Sequence, residues 1–188
     1  MRRSRHDPAV PRPAPVDRAA LPARAHAGDW PHWCEFHLSE RARFIGGGPR
    51  IKPSDSWRAF GHVIGHWVMR GWGMFVFTLQ GDDTPLGMTG PWFPEGWPEQ
   101  EIGWTIWSSA AEGKGYAREA ALAARDHAYQ VLGWSGAVSY IHRDNARSIT
   151  LAERLGAVRD GSAPVPEFDE PCLVYRHPAP GRIGETAT

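Results

Sequence analysis

Residues 101–117 carry the clearest chemical pattern in this chain of 188 residues. An apolar, β-rich run from Glu101 to Trp107 leads into a loop of small residues, and the segment Glu-Gly-Lys-Gly-Tyr-Ala at 112–117 then opens an alanine-rich helix. Glycine lets a backbone approach a ligand closely, and the first turn of a helix offers unpaired N–H groups and the positive end of the helix dipole. The pattern therefore favours phosphate binding, with Lys114 adding a positive charge.

Two familiar phosphate-binding motifs are excluded at this loop. The dinucleotide fingerprint requires a third glycine, but Arg118 occupies that position. The Walker loop requires Ser or Thr after Gly-Lys, but Gly115 follows Lys114. Taken alone, the two glycines are also compatible with a plain turn at the start of a helix.

A second motif lies about thirty residues further on. A strand is predicted over Val138–His142, and a helix begins near Asn145 and ends at Gly156, with apolar residues at 149, 152 and 155. The combined pattern comprises Glu-Ile-Gly-Trp at 101–104, Gly-Lys-Gly-Tyr-Ala at 113–117 followed by Glu119, Asn145 with Ser148-Ile149, and Arg-Leu-Gly-Ala at 154–157. Over about residues 54 to 160 the chain resembles the GCN5-related N-acetyltransferase (GNAT) superfamily. More narrowly, it is similar to the branch that contains the ribosomal-protein N-terminal acetyltransferases.

This resemblance implies a mixed α+β fold, with a mostly antiparallel sheet flanked by helices and a splayed pair of strands that holds acetyl-CoA. It implies acetyl transfer from acetyl-CoA to a primary amine, either a protein N-terminus or a small molecule, by direct attack in a ternary complex. The cofactor-binding positions implied are Trp104, Thr105 and Ile106 for the pantetheine arm, Glu112, Gly113, Lys114, Gly115, Tyr116 and Ala117 for the pyrophosphate, and Asn145 for the CoA arm.

The resemblance also implies two catalytic residues. Glu101 matches the general base, and Ser148 is the candidate acid for the leaving thiolate, because Ala152 replaces the tyrosine that many members use. We expect Glu95 and Glu99, with Glu101, to form an acidic edge that attracts a cationic amine. In the alternative interpretation these carboxylates are solvated loop charges, Ser148 packs within its helix and Asn145 caps it.

Glu112 departs from the family pattern, which most often has Gln or Arg at this position. A carboxylate beside a pyrophosphate is unfavourable unless its side chain points away. Together with Ala152, this residue keeps open an alternative function, an acyl-CoA-binding protein with little or no catalysis. The Arg-rich N-terminal segment keeps open a third, a module that binds nucleic acid or a partner protein.

Composition argues against several classes of partner. The formal net charge is zero and the isoelectric point is about 7.1, so we expect neither a nucleic acid nor a membrane as partner. No run of about 18 apolar residues occurs, and we expect a cytoplasmic protein. A homodimer is left open.

Metal binding is not expected. The cysteines, Cys34 and Cys172, are too far apart for a metal knuckle or a disulfide framework. His62 and His66 are four residues apart on a predicted helix, but Val63 stands where the metalloprotease motif requires Glu. We therefore interpret the two histidines as a pair on the helix surface.

One folded domain, residues 29–177, must position these groups, between disordered tails at 1–28 and 178–188. Leu21–Ala25 is the nearest match to the first strand of the family, and Pro22 suits only the edge of a sheet. Asp29 caps one predicted helix, and Ser54 or Asp55 caps another that ends at Gly71. The remaining predicted elements are strands at 74–79, 86–92, 101–106 and 138–142, a helix at 115–132, a short strand near 157 and a last strand at 172–175.

Overall fold

The computed structural model describes residues 19–167 and 172–181, which form one seven-stranded sheet. The strand order is β1-β2-β3-β4-β5-β7-β6, and every neighbouring pair is antiparallel except β4 and β5. The predicted α+β fold with a mostly antiparallel sheet is confirmed. The strands are β1 Ala19–Arg24, β2 Phe75–Leu79, β3 Asp82–Trp92, β4 Glu101–Ile106, β5 Val138–His142, β6 Val158–Arg159 and β7 Cys172–Arg176.

Four α-helices flank this sheet within the described ranges: α1 Trp30–His37, α2 Pro53–Arg70, α3 Tyr116–Gln130 and α4 Ala146–Arg154. Helix α2 ends as predicted at Gly71, whose φ of 77° is left-handed. It begins at Pro53, before the predicted caps, because proline at the first helical position has a suitable φ and needs no N–H partner. Short 3-10 segments occur at Ala27–Asp29, Glu40–Ile45 and Ser109–Ala111.

The first strand lies inside the segment that the sequence assigned to a tail. Strand β1 pairs with β2 at the edge of the sheet, and its register shifts between Ala20 and Ala23, on either side of Pro22. Proline cannot donate to a ladder, so an edge position with an irregular register accommodates it. The structured part of the chain thus extends before Asp29. Residues 1–18 and 182–188 lie outside the described residues, and the disordered tails there stay a prediction.

Two layers of helix cover opposite faces of the sheet, because successive side chains of a strand point to opposite sides. Val76 packs in a cluster with residues of α1 and α2, whereas Phe75 and Phe77 pack against the buried alanines of α3. These small side chains let α3 lie close to β3 and β4. No helix in the described ranges is long and apolar enough to cross a membrane.

Candidate active site

Strands β4 and β5 touch at one end and then separate. Glu101 and Val138 are their only register pair, and Val138 N–H donates to the carbonyl of Gln100 at 2.9 Å. Strand β3 stays paired with β4 from Glu101 as far as Ile106. The edge of β4 that faces β5 therefore has no strand partner beyond Ile102 in the part of the chain that the structure describes. This is the splayed strand pair predicted from the sequence.

The glycine-rich loop lies at the open end of this gap. Gly113 and Gly115 have φ of 73° and 86°, in the left-handed region that other residues rarely adopt. A Cβ added at either position would meet nothing within 4 Å, so open space adjoins the loop. Gly115 precedes the first residue of α3, Tyr116, and no side chain caps the helix, so its first N–H groups are left to a ligand or to water. Lys114 is exposed at the tip.

Glu112, the residue before Gly113, is paired with two arginines. Its carboxylate accepts from Arg41 Nε at 2.7 Å and from Arg147 Nη1 at 2.6 Å. Arg41 also donates to the carbonyls of Ile106 and Trp107, at 2.7 and 2.6 Å. The negative charge next to the loop is thus offset by two cations, which answers the objection raised by this residue in the sequence. Sequence reasoning missed both arginines, since neither belongs to a motif.

Glu101 is buried at the closed end of the gap, with 9% of its surface exposed. Its Oε2 accepts from Trp97 Nε1 at 2.7 Å, and its Oε1 accepts from Tyr140 N–H at 3.4 Å. Burial raises the pKa of this carboxyl to about 7, although the two hydrogen bonds act in the opposite direction. Glu101 can therefore gain or lose a proton near neutral pH, and it is not a solvated loop charge.

The other two carboxylates of the predicted acidic edge are paired with arginines. Glu99 accepts two hydrogen bonds from Arg176, at 2.7 and 3.0 Å, and the same guanidinium donates to Asp160 at 2.8 Å. Glu95 is fully exposed and lies 3.8 Å from Arg70. The edge therefore carries arginines as well as carboxylates, because long side chains from other elements reach it.

Helix α4 contacts β4 across the gap. Asn145 Oδ1 accepts from Ser148 N–H at 3.2 Å and so caps the helix, as one interpretation of the sequence predicted. Ser148 Oγ accepts from Trp104 Nε1 at 3.2 Å. A serine hydroxyl that accepts this bond keeps its own proton for donation. The hydroxyl of Thr105 on β4 accepts from Trp107 Nε1 at 3.0 Å.

His66 is a structural residue and not half of a surface pair. It is buried, and its two ring nitrogens contact the carbonyl of Trp72 at 2.9 Å and the N–H of Phe93 at 3.0 Å. These partners require a proton on Nδ1 and a lone pair on Nε2. Burial lowers the pKa of His66, which matches this neutral form. In the described ranges no group of three or more His, Cys, Asp or Glu is arranged to hold a metal ion.

Three tryptophans lie on or next to the loops around this carboxyl, and Trp97 contacts Glu101 directly. Trp92 is buried under His66, with its ring stacked at 4.5 Å between centroids. Trp72 packs edge-on against Trp134 at 5.2 Å. His66 and Trp92 thus support the loop that brings Trp97 to the carboxyl.

A model of the acetyltransferase (GNAT) domain family matches residues 21–158. The chain belongs to the GNAT acetyltransferase family. It is 33% identical to the acetyltransferase from Agrobacterium tumefaciens str. C58, with 93% of this chain and 98% of that chain covered and a TM-score of 0.79. The resemblance to the GNAT superfamily identified in the sequence is confirmed, and this GNAT protein is an acyltransferase.

More distant GNAT structures share the fold. An acetyltransferase of the GNAT family from Bacillus anthracis is 21% identical, with 87% of this chain and 95% of that chain covered and a TM-score of 0.67. RimL, a ribosomal L7/L12 alpha-N-protein acetyltransferase in complex with coenzyme A, is 16% identical, with 86% and 94% covered and a TM-score of 0.64. At these identities the likeness concerns the fold.

Proposed function

We propose that this GNAT protein transfers the acetyl group of acetyl-CoA to a primary amine by direct attack in a ternary complex. The observation that carries the proposal is Glu101, a buried carboxyl with a pKa of about 7 at the point where β4 and β5 separate. A general base works best when its pKa lies near the working pH. A protein N-terminus and a small-molecule amine both stay open as acceptors.

In this proposal acetyl-CoA lies in the gap between β4 and β5. The N–H groups of residues 113–117, with Lys114, bind the pyrophosphate, and Glu112 is kept apart from it by Arg41 and Arg147. The pantetheine arm pairs with the backbone of Trp104, Thr105 and Ile106 like an added strand, and Asn145 contacts the arm. The coenzyme A bound to RimL, which has the same fold, supports this cosubstrate.

The reaction removes two protons from the ammonium nitrogen and gives one proton to the leaving thiolate. Glu101 accepts a proton from the ammonium, directly or through one water, and the free amine attacks the thioester carbonyl. A carbon–nitrogen bond forms and the carbon–sulfur bond breaks, while a backbone N–H of β4 stabilises the oxyanion. Ser148 donates its hydroxyl proton to the leaving thiolate and takes up the second proton from the nitrogen of the new amide, directly or through water, so that the hydroxyl is restored. The indole of Trp104 orients this hydroxyl.

The alternative is a protein that binds acyl-CoA with little catalysis. Ala152 favours it, because this fully buried residue offers no proton where many GNAT members have a tyrosine. The two functions differ in one measurable respect, since only an enzyme has a turnover that depends on Glu101.

The test compares Glu101→Gln with Glu95→Gln, a matched change at an exposed carboxylate. Acetyl-CoA is titrated calorimetrically into each protein, and thiol release is followed with a panel of amines and of peptides with free N-termini. We expect Glu101→Gln to bind acetyl-CoA like the parent and to lose about 10²- to 10⁴-fold in kcat. Glu95→Gln should behave like the parent. No binding to the parent would refute the cosubstrate, and binding without turnover on any amine would favour the alternative.

A further inference from the structure

A chain of buried polar side chains ends on β4 one residue after Glu101. Ser139, on β5, donates from Oγ to the carbonyl of Ile102 at 2.6 Å and contacts His177 Nε2 at 3.0 Å. His177 Nδ1 contacts Arg125 Nη1 at 3.4 Å, and Arg125 donates to the carbonyl of Leu155 at 2.6 Å. The side chains of Ser139, His177 and Arg125 are 2%, 4% and 3% exposed.

The partners of Ser139, His177 and Arg125 assign each proton of this hydrogen-bond network to one atom. The single hydroxyl proton of Ser139 goes to Ile102, so Ser139 accepts from His177 Nε2–H, and His177 Nδ1 then accepts from Arg125. Burial and the charge of Arg125 lower the pKa of His177 to about 3. The imidazole is therefore neutral throughout the range near pH 7, and the direction of the hydrogen bonds does not change there.

This hydrogen-bond network reaches β4 at the residue where the pairing of β4 with β5 stops. Val138 N–H donates to Gln100 C=O in the one rung that is present. In a parallel ladder the next bond from β5 to β4 runs from Tyr140 N–H to Ile102 C=O. That bond is replaced in this structure, although both strands continue.

Two side chains replace this missing hydrogen bond between the strands. Ser139 occupies the carbonyl of Ile102, and the N–H of Tyr140 turns to the carboxylate of Glu101. Because a buried N–H or C=O requires a partner, each replacement makes the other necessary. The separation of β4 from β5 and the position of the Glu101 carboxylate therefore depend on each other.

We propose that Ser139, oriented by His177 and Arg125, is a positioning residue that ends the β4–β5 ladder and thereby sets the place of the Glu101 carboxylate. The inference deepens the proposed function and rests on Glu101 as its base. Without the hydroxyl of Ser139, Tyr140 N–H is free to pair with Ile102 C=O. Glu101 then loses a donor that favours its charged form, and the pKa of the carboxyl rises.

Two titratable groups that interact with Glu101 have pKa values far above 7. Tyr140 on β5 has its pKa raised to about 12 by burial and by the charges of Glu99 and Glu101. Cys172 on β7 has its pKa raised to about 11, mainly by burial and also by the charge of Glu101. The carboxylate of Glu99 is paired with Arg176. A titration of Glu101 near neutrality is therefore separable from those of Tyr140 and Cys172.

Two histidines also lie near Glu101, so the titration of Glu101 has to be observed directly. His142 ends β5, with Cys172 as its register partner, and His66 supports the loop that carries Trp97. Carbon-detected NMR of protein labelled at the glutamate carboxyls observes Glu101 itself, and the signal is assigned by its loss in Glu101→Gln. This readout does not depend on acetyl transfer.

The test uses Ser139→Ala, the pair His177→Phe and His177→Gln, and Ser56→Ala as the control. Ser56 is a buried serine of α2 that takes no part in the hydrogen bonds that join Ser139, His177 and Arg125. We expect Ser139→Ala to raise the midpoint of Glu101 by roughly half a pH unit or more, and His177→Phe to raise it by less. His177→Gln keeps a donor and an acceptor and should return the midpoint towards that of the parent. The pH profile of kcat/KM should move in parallel, with acetyl-CoA affinity changed less than about twofold.

A midpoint like that of the parent in both Ser139→Ala and His177→Phe would overturn the proposal, and so would an equal shift in His177→Phe and His177→Gln. If circular dichroism shows that Ser139→Ala does not fold, the proposal is tested by the midpoints of Glu101 in His177→Phe and His177→Gln. Absence of acetyl transfer by the parent, with the expected shifts in the NMR titration, would refute the proposed function and leave the positioning role of Ser139 supported.

Discussion

The first residue of β4 is held by buried hydrogen bonds, whereas its last residue, Ile106, accepts from an arginine that belongs to a partly exposed ion pair. Glu101, at the closed end, is held by Trp97 and Tyr140. At the open end the Arg41–Glu112 pair has side chains that are 26% and 28% exposed. A buried carboxyl responds to each donor it loses with a change in pKa, whereas partly exposed charges are screened by water and salt. We therefore expect the closed end to control proton transfer and the open end to control cosubstrate affinity.

The largest effect is expected at the open end, in Gly115→Glu. The change places a carboxylate at the first turn of α3, where the proposed pyrophosphate binds, and should raise the Kd for acetyl-CoA about a hundredfold or more. Gly133→Glu is the matched control, because Gly133 follows the same helix at its other end, has a φ of 72° and also adjoins open space. Calorimetric titration checks both variants. Equal losses of affinity would mean that backbone strain, and not charge at the loop, is responsible.

An intermediate effect is expected at the closed end, in Trp97→Phe. The indole N–H favours the charged form of Glu101, so its loss should raise the pKa of the carboxyl above about 7, by about one unit. Since a base must be deprotonated, kcat/KM should rise with pH through the midpoint, and the rising limb should move to higher pH in the variant. Trp57→Phe, at an exposed position of α2, should keep the profile of the parent.

The pH–rate profile and the Kd for acetyl-CoA, measured on the same Trp97→Phe protein, separate the two ends of β4. An unchanged rising limb, or a Kd that changes as much as in Gly115→Glu, would show that the ends are not independent.

The smallest effect is expected from Glu112→Gln. Loss of this carboxylate releases Arg41 and Arg147 beside the loop, so acetyl-CoA should bind about two- to fivefold more tightly at low salt, and the difference should fade in high salt. The free energy of unfolding should fall by less than about 1 kcal/mol. Asp55→Asn, which removes a surface ion pair with Arg58, is the control. Weaker binding in Glu112→Gln would mean that Glu112 supports the loop more than it opposes the phosphate.

Local patterns in the sequence predicted much of the fold. Strand β5 has the predicted ends, Gly71 ends α2, and Asn145 caps α4, because turn and cap preferences depend on residues close in the chain. The predicted helix at 115–132 was two residues too long at its C-terminus, and Val131 is exposed. The pairing of β1 could not be predicted from its own residues, since their partners on β2 lie 51 to 60 residues further along the chain.

The candidate site was predicted less completely. The glycines at 113 and 115 and the carboxyl at 101 stood out because their types and spacing are unusual. Arg41 and Glu112 are 71 residues apart, and Ser139 and Ile102 are 37 residues apart, so no local pattern joins them. His66 was misplaced on the helix surface because its partners, Trp72 and Phe93, come from other elements.

By itself the sequence determined the conformation of the glycine-rich loop, the helix that follows it and the order of the elements, because neighbouring residues decide backbone conformation. Only the tertiary structure decided that Glu101 is buried, that Glu112 is neutralised by two arginines and that Ser139 ends the ladder between β4 and β5. Burial, charge pairing and pKa depend on side chains that are distant in the chain, and these meet only when the sheet and its helices pack together.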